Sequence, residues 1–200
     1  MPKNQPKTTF LKDYQPFPFA IESVTLHCSL EDDRALITST LVVRQRTAGV
    51  PLRLDGRELK LVAISLDDQP LSPDHYQLDD EALILLEPPA AFTLQITTRL
   101  HPQANTSLEG LYASNGIFCT QCEAEGFRKI TFFPDRPDVL SRFTVTLEAE
   151  TKAFPVLLAN GNLLAEERLA NGRHRATWQD PFPKPCYLFA MVAGDLACLH

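Results

Sequence analysis

Alternation of apolar and polar residues with a period of two is the feature that most constrains the fold of this chain. From Val24 to Leu30 every second residue is apolar and the residues between them are polar, which places the two kinds of side chain on opposite faces of an extended strand. The acidic turn 31–34 and the β-branched segment 35–46 follow directly, so the sequence predicts a β-hairpin. No segment has a helical apolar stripe longer than about two turns, and we therefore expect an all-β fold.

Short strand-like segments continue along the first half of the chain. The Asp55-Gly56 dipeptide predicts a tight turn between strands at 52–54 and 59–66. Further strands are predicted at 83–86 and 92–100. Short strands separated by turn signals roughly every 8–12 residues are typical of a mostly antiparallel β-sandwich or a curved multi-sheet domain.

The second half of the chain repeats this pattern with one exception. Residues 142–149 alternate as a strand, Asn160-Gly161 and Asn171-Gly172 mark turns, and the apolar run 187–193 predicts a strand buried on both faces. Residues 138–143, which follow a proline, are instead predicted to form a single helical turn.

The length of the chain favours one domain with a short N-terminal extension. A chain of 200 residues can bury a sizeable core. Residues 1–18 are polar and rich in proline, so we expect them to form an extended arm, and residues 19–200 to form a single β-domain. Tyr14, Phe17 and Phe19 are the side chains expected to hold the arm on the domain.

Charge and composition exclude some partners. The formal net charge of -6 offers no basic surface to neutralise phosphates, so nucleic acid is not an expected partner. No apolar run reaches the roughly 18 residues of a membrane span, and the N-terminus lacks the apolar stretch of a signal peptide. The odd number of five cysteines favours a reducing compartment. We therefore expect a cytoplasmic location and no membrane partner.

The Cys119-x-x-Cys122 pair leaves three interpretations open. Structural zinc would need two more suitably spaced ligands, whereas Cys28, Cys186 and Cys198 lie far apart in the sequence. A thioredoxin-like redox pair belongs at the start of a helix in an α/β fold, which the pattern does not show. Packing in the core is the favoured interpretation, and the chain itself is expected to bind no metal.

Four carboxylates, Glu123, Glu125, Asp135 and Asp138, lie close together in the sequence. They could contain the carboxylate pair of a glycoside hydrolase, but the aromatic residues that stack on sugars are not evident. For Asp135 and Asp138, turn and helix-cap chemistry beside the neighbouring prolines is the simpler interpretation. The chain has no H-E-x-x-H, G-x-S-x-G or phosphate-loop signature, so no complete catalytic apparatus is predicted.

Gln121 and Glu123 are two residues apart, which places them on the same face of an extended strand. An amide carbonyl and a carboxylate on one face can bind a cation with several N–H donors, and the free α-ammonium group of a peptide is such a cation. An ordinary exposed strand face is the alternative, and the pattern alone leaves it open.

Several longer segments carry more information than any short pattern: 51–56, 105–112, 119–128, 135–143, 178–190 and 192–195. In this order they resemble the N-terminal β-domain of the bacterial aminopeptidase N family, and the resemblance covers nearly the whole chain. Members of this family are zinc metallo-aminopeptidases, which remove N-terminal residues from peptides.

The resemblance implies a saddle-shaped all-β domain that packs against a thermolysin-like catalytic domain. In the family that catalytic domain carries a Gly-x-Met-Glu-Asn motif and the H-E-x-x-H zinc motif, and neither occurs in these 200 residues. The family's Gln and Glu that match Gln121 and Glu123 bind the α-amino group of the substrate. Zinc is thus implied for the parent enzyme and not for this chain. Cys119 and Cys122 are then expected to face the domain interior.

The leading hypothesis is that this chain is the N-terminal domain of a cytoplasmic zinc aminopeptidase. We expect it to anchor the substrate α-amino group and cap the active site, and to be inactive alone. Its expected partners are the catalytic domain, absent from this sequence, and peptides with a free N-terminus. A stand-alone β-sandwich interaction module is the alternative, which a reading frame continuing past His200 into H-E-x-x-H would exclude. A small metal or redox domain built on Cys119 and Cys122 is a third hypothesis.

Overall fold

Strands dominate the structure, a computed structural model that describes residues 10–197. Its helical pieces are 3-10 turns of three residues at Leu11–Asp13, Pro73–His75, Pro102–Ala104, Phe127–Lys129, Ala170–Gly172 and Cys186–Leu188. The strands, numbered along the chain, are β1 (Phe19–Leu30), β2 (Ala35–Gln45), β3 (Leu52–Asp55), β4 (Lys60–Leu66), β5 (Gln69–Pro70), β6 (Tyr76–Leu78), β7 (Ala82–Leu85), β8 (Ala91–Leu100), β9 (Gly110–Ser114), β10 (Ile117–Gln121), β11 (Leu140–Glu150), β12 (Val156–Ala159), β13 (Asn162–Arg168), β14 (Arg173–Pro185) and β15 (Met191–Gly194). The all-β prediction is confirmed. No helix within residues 10–197 is long and apolar enough to cross a bilayer.

The strands form three sheets. The largest has eight strands in the order β13-β14-β11-β1-β2-β8-β4-β5. A four-stranded sheet has the order β12-β15-β10-β9, and a three-stranded sheet has the order β3-β7-β6. Among the described strands, β1 and β11 pair in parallel and the other pairs are antiparallel, so the mostly antiparallel architecture is also confirmed.

The first predicted hairpin is present, with β1 paired to β2 from Phe19 and Gln45 to Leu30 and Ala35. The alternating apolar residues of β1 are buried, because that face lies on the core. His27, on the opposite face, is exposed and lies 3.5 Å from a carboxylate oxygen of Glu148.

The Asp55-Gly56 dipeptide does not form the predicted hairpin turn. Strand β3 pairs with β7, whereas β4 pairs with β8 in the eight-stranded sheet. A Cβ atom at Gly56 would lie 2.3 Å from the ring of Phe132. The absence of a side chain at Gly56 therefore allows the ring of Phe132 to lie close to the backbone. The residue with a left-handed backbone conformation in this connection is Glu58, with φ of 58°.

The predicted helical turn at 138–143 is wrong. Pro137 and Asp138 lie in a turn, and β11 begins at Leu140. This segment is extended because β11 pairs with β1 on one side and β14 on the other.

The apolar run 187–193 is not one strand buried on both faces, as predicted. Its first residues belong to the 3-10 turn Cys186–Leu188, and the Leu188 side chain is half exposed. Strand β15 begins at Met191, where β10 and β12 flank it. The strand prediction therefore holds only for the second half of the run.

One hydrophobic core includes buried residues from all three sheets. Its aromatic centre is formed by Phe127, Phe133, Phe143 and Phe189, and the ring centroid of Phe127 lies 5.1 to 5.9 Å from the other three. The 3-10 turn that begins at Phe127 is therefore fixed on the core, directly after the segment that carries the candidate site.

The described part of the N-terminal arm contacts the domain through its aromatic residues. The hydroxyl of Tyr14 donates to Asp138 at 3.0 Å, and Phe17 and Phe19 are buried. Strand β1 begins at Phe19. Residues 1–9 of the predicted arm lie outside the described residues, and the division at residues 18 and 19 stays a prediction.

Candidate functional site

Gln121 and Glu123 are both exposed, and the residue between them, Cys122, is buried. Gln121 is the last residue of β10, and its side-chain Nε2 donates to the backbone oxygen of Glu123 at 3.2 Å. The peptide bond from Glu123 to Ala124 is cis. Within residues 10–197 no side chain forms an ion pair or hydrogen bond with the Glu123 carboxylate. The structure thus leaves this carboxylate open to solvent beside an oriented amide.

A β-hairpin positions Gln121. Asn115 and Gly116 connect β9 to β10 with φ of 49° and 79°, and Gln121 pairs with Gly110 at the other end of the hairpin. Two consecutive residues with positive φ are typical of a two-residue hairpin turn. Sequence reasoning missed this hairpin, although the Asn-Gly dipeptide was an available signal.

Two glycines allow close packing around the turn that follows β10. A Cβ atom at Gly126 would lie 2.3 Å from the backbone oxygen of Gln121, and one at Gly110 would lie 2.6 Å from Cβ of Lys129. The Gly126 amide donates to the Cys122 carbonyl at 2.8 Å. The end of β10 and the following turn therefore pack backbone against backbone.

Arg128 and Asp135 form the buried ion pair behind this turn. The backbone N and the Nε of Arg128 donate to Oδ2 of Asp135 at 3.1 and 3.0 Å. The side chain of Asp135 is 1% exposed, and Cys186 Sγ donates to its Oδ1 at 3.0 Å. Burial lowers the pKa of Arg128, but the hydrogen bond and charge of Asp135 outweigh it and the pKa lies above its ordinary value. The Asp135 carboxylate thus accepts a backbone N–H of the 3-10 turn Phe127–Lys129, as a cap residue does, and it also forms an ion pair that the sequence did not predict.

The other carboxylates near the site are also paired with cations. Glu125 lies 3.2 Å from Arg128. Asp138 accepts from Nε and Nη2 of Arg136 at 2.8 Å each, and hydrogen bonds from Arg136 and Tyr14 outweigh burial and lower its pKa to about 2. No free carboxylate pair for glycoside hydrolysis is present in this group, and Glu123 is the member without a cation in the described part of the chain.

The cysteines differ from one another in burial. Cys122 is buried as expected, whereas Cys119 is only half-buried because it shares the strand face of Gln121. Burial, followed by the charge of Asp135, raises the pKa of the Cys122 thiol to about 12, and burial raises the pKa of Cys186 as well. Such thiols keep their protons at neutral pH, which supports packing rather than redox or metal chemistry. Cys198 lies outside the described residues.

The described side chains do not fit the zinc that the resemblance implies for the parent enzyme. Among residues 10–197 no three His, Cys, Asp or Glu residues are grouped so that they could hold a metal ion.

Comparison with known proteins gives consistent similarities. Residues 20–188 match the family model described as the Peptidase M1 N-terminal domain. Aminopeptidase N of Caulobacter vibrioides is 53% identical over 201 residues, which cover 100% of this chain and 23% of that protein. The crystal structure of Legionella pneumophila aminopeptidase A in complex with aspartic acid is 35% identical with a TM-score of 0.89, covering 94% of this chain and 22% of that one.

A more distant structure shares the fold. The M1 zinc metallopeptidase of Deinococcus radiodurans, bound to a Tyr-Ser-Ala substrate, has a TM-score of 0.76 at 18% identity, covering 88% of this chain and 42% of that one. The chain spans only 22 to 23% of the length of curated relatives that it matches.

Proposed function

This chain belongs to the Peptidase M1 N-terminal domain family, and from that membership we propose that it is the N-terminal domain of a zinc aminopeptidase that binds the α-amino group of peptide substrates. Gln121 and Glu123 are the proposed ligands. The relatives with this domain are named as aminopeptidases, and family membership favours this function over a stand-alone interaction module.

The observation that carries the proposal is the arrangement of acceptors at the end of β10. The Glu123 carboxylate has no cation among the described residues, in contrast to its neighbours Glu125, Asp135 and Asp138. The Gln121 amide nitrogen is already used by the Glu123 carbonyl, so the amide oxygen remains as an acceptor. A carboxylate and an amide oxygen together complement an ammonium group, which offers three donors and a positive charge.

Binding of the ammonium group would make the domain select the first peptide bond. A substrate held at its N-terminus presents its first peptide bond at a fixed distance from Glu123. A peptide extended beyond this point would place a neutral amide at Glu123 and leave the carboxylate without its counter-charge. The domain would thereby restrict hydrolysis to N-terminal residues and cap the active site of the catalytic domain.

The catalytic centre itself is proposed to belong to a thermolysin-like domain that is absent from this sequence. That domain would hold the zinc, since the described residues offer no site for it. The 200-residue chain is therefore expected to hydrolyse no peptide alone. The cytoplasmic location suggested by the sequence stays a prediction.

Replacement of Glu123 in the full-length enzyme that contains this chain tests the proposal. In the Glu123→Ala variant kcat/KM for an amino-acyl anilide should fall at least about thirtyfold, equivalent to about 2 kcal/mol, because the ammonium group loses its counter-charge. Glu166→Ala removes the same charge from the exposed strand β13 and should leave the kinetics unchanged. Wild-type kinetics in Glu123→Ala would mean that this segment is only a scaffold.

A further inference from the structure

The turn that carries Glu123 is held at two ends. At its N-terminal end Gln121 pairs with Gly110 in the β9–β10 hairpin. At its C-terminal end the backbone N–H of Arg128 donates to the buried carboxylate of Asp135 at 3.1 Å. The side chains of Gln121 and Glu123 are exposed between these points, so their position depends on how well the two ends are fixed.

Asp135 provides a fixed point behind the turn. Besides the two hydrogen bonds from Arg128, it accepts from Cys186 Sγ at 3.0 Å, and its own backbone N donates to Oδ2 of Asp55 at 3.3 Å. Asp55 also exchanges two backbone hydrogen bonds with Phe133, at 2.9 and 3.0 Å. These contacts tie Asp135 to the end of β3 and to the 3-10 turn at Cys186, and its carboxylate is 1% exposed.

The guanidinium of Arg128 extends this anchoring into the turn. Its Nε binds the Asp135 carboxylate at 3.0 Å, and its Nη2 lies 3.3 Å from the Asp135 backbone oxygen and 3.2 Å from the Glu125 carboxylate. The planar fork of arginine fixes direction as well as charge, which a lysine ammonium does not. Arg128 therefore links the buried carboxylate of Asp135 to Glu125, which lies two residues after Glu123.

We infer that Arg128 and Asp135 are positioning residues for the ammonium site. They hold the turn so that the Glu123 carboxylate and the Gln121 amide oxygen converge on one cation. The inference rests on the proposed function. A purely structural ion pair would stabilise the domain in the same way, so the test must measure ammonium recognition separately from folding.

Two inhibitors that differ only in the ammonium group make that separation. Alanine hydroxamate and propanohydroxamic acid share a metal-chelating end, and only the first carries an α-ammonium group. The ratio of their inhibition constants on the full-length enzyme therefore reports recognition of the ammonium. Glu123→Ala should remove most of this ratio. Asp135→Asn and Arg128→Lys should each reduce it about tenfold and leave inhibition by propanohydroxamic acid unchanged, because small displacements at a binding site have effects of this order or larger.

A control variant accounts for loss of stability. Glu148→Gln removes the negative charge from the ion pair with Arg173, whose Nε lies 2.9 Å from the Glu148 carboxylate in the eight-stranded sheet, and it should lower the melting temperature without changing the inhibitor ratio. If Asp135→Asn does not fold, Arg128→Lys alone tests the positioning role, since lysine keeps the positive charge beside the Asp135 carboxylate. The double variant Glu123→Ala with Arg128→Lys should show no further loss beyond Glu123→Ala.

The outcomes separate the two proposals. A wild-type ratio in folded Arg128→Lys and Asp135→Asn, with a collapsed ratio in Glu123→Ala, would overturn the positioning role and leave the ammonium site intact. A wild-type ratio in Glu123→Ala would overturn the ammonium site and the positioning role together.

Discussion

Single residues near the candidate site are distinguished by their partners more than by their type. Asp135, Asp138 and Glu125 each bind an arginine, whereas Glu123 has no cation among the described residues. A buried carboxylate without a partner would be costly, so Asp135 and Arg128 are expected to depend on each other. An exposed carboxylate without a partner costs little, and Glu123 remains available for a ligand.

Asp138 gives a pH prediction for the 200-residue chain. Its pKa of about 2 in the folded state lies below the value of roughly 3.9 in an unfolded chain. Its ion pair therefore contributes to stability above about pH 4, and this contribution is lost as the pH falls toward about 2. Because the pair is partly exposed, we expect a contribution of about 1 kcal/mol, of which about half is lost by roughly pH 3.

Urea denaturation at several pH values measures this effect. The Asp138→Asn variant should be less stable than wild type at neutral pH by about 1 kcal/mol and approach it in acid. Asp74→Asn, at an exposed position, should follow the wild-type curve. Parallel curves for wild type and Asp138→Asn would show that the carboxylate does not stabilise the fold.

At the scale of elements, strands of the same sheet have very different surroundings. Strand β1 pairs with β2 and β11 and buries its alternate residues. Strand β13 is an edge strand, and all seven of its residues are exposed. Local opening requires little energy where few apolar contacts are broken, so β13 should open much more often than β1.

Hydrogen exchange followed by mass spectrometry should show this difference in the 200-residue chain. Amides of β13 are expected to exchange at least about a hundredfold faster than those of Val24–Leu30 in β1. Strand β2, which is also paired on both sides, serves as the control and should be protected like β1. Equal protection of β13 and β1 would contradict the assignment of β13 as a weakly held edge.

At the scale of the whole molecule, three sheets share one core but leave several large apolar side chains exposed. Phe182 is 74% exposed where the register between β11 and β14 shifts, and Leu164 and Leu188 are 56% and 50% exposed. Exposed apolar surface on a small domain is typical of an interaction site. A domain that normally packs against a catalytic domain would have such surface.

We therefore expect the 200-residue chain to self-associate when it is produced alone. Sedimentation velocity over a range of concentrations should show a rising mean sedimentation coefficient. Phe182→Ser should reduce this rise because it removes the most exposed of these three apolar side chains. Leu78→Ser, at an exposed position in β6, is the matched control and should have little effect. A monomer at all concentrations would count against an uncovered docking face.

The sequence by itself determined the all-β class and those strands whose residues follow a clear local pattern. Side-chain direction along an extended chain depends only on the local backbone, so alternation predicted β1 and β11, and the β-branched residues of 35–46 predicted β2. The shared face expected for Gln121 and Glu123 stays a prediction, because β10 ends at Gln121 and Glu123 lies in the turn that follows. The tertiary structure decided which residues far apart in the sequence come into contact. The ring of Phe132 leaves no room for a side chain at Gly56, and the Asp138 carboxylate accepts a hydrogen bond from the Tyr14 hydroxyl. These partners are far apart in sequence, and no local pattern specifies them because each contact exists only after the sheets have packed.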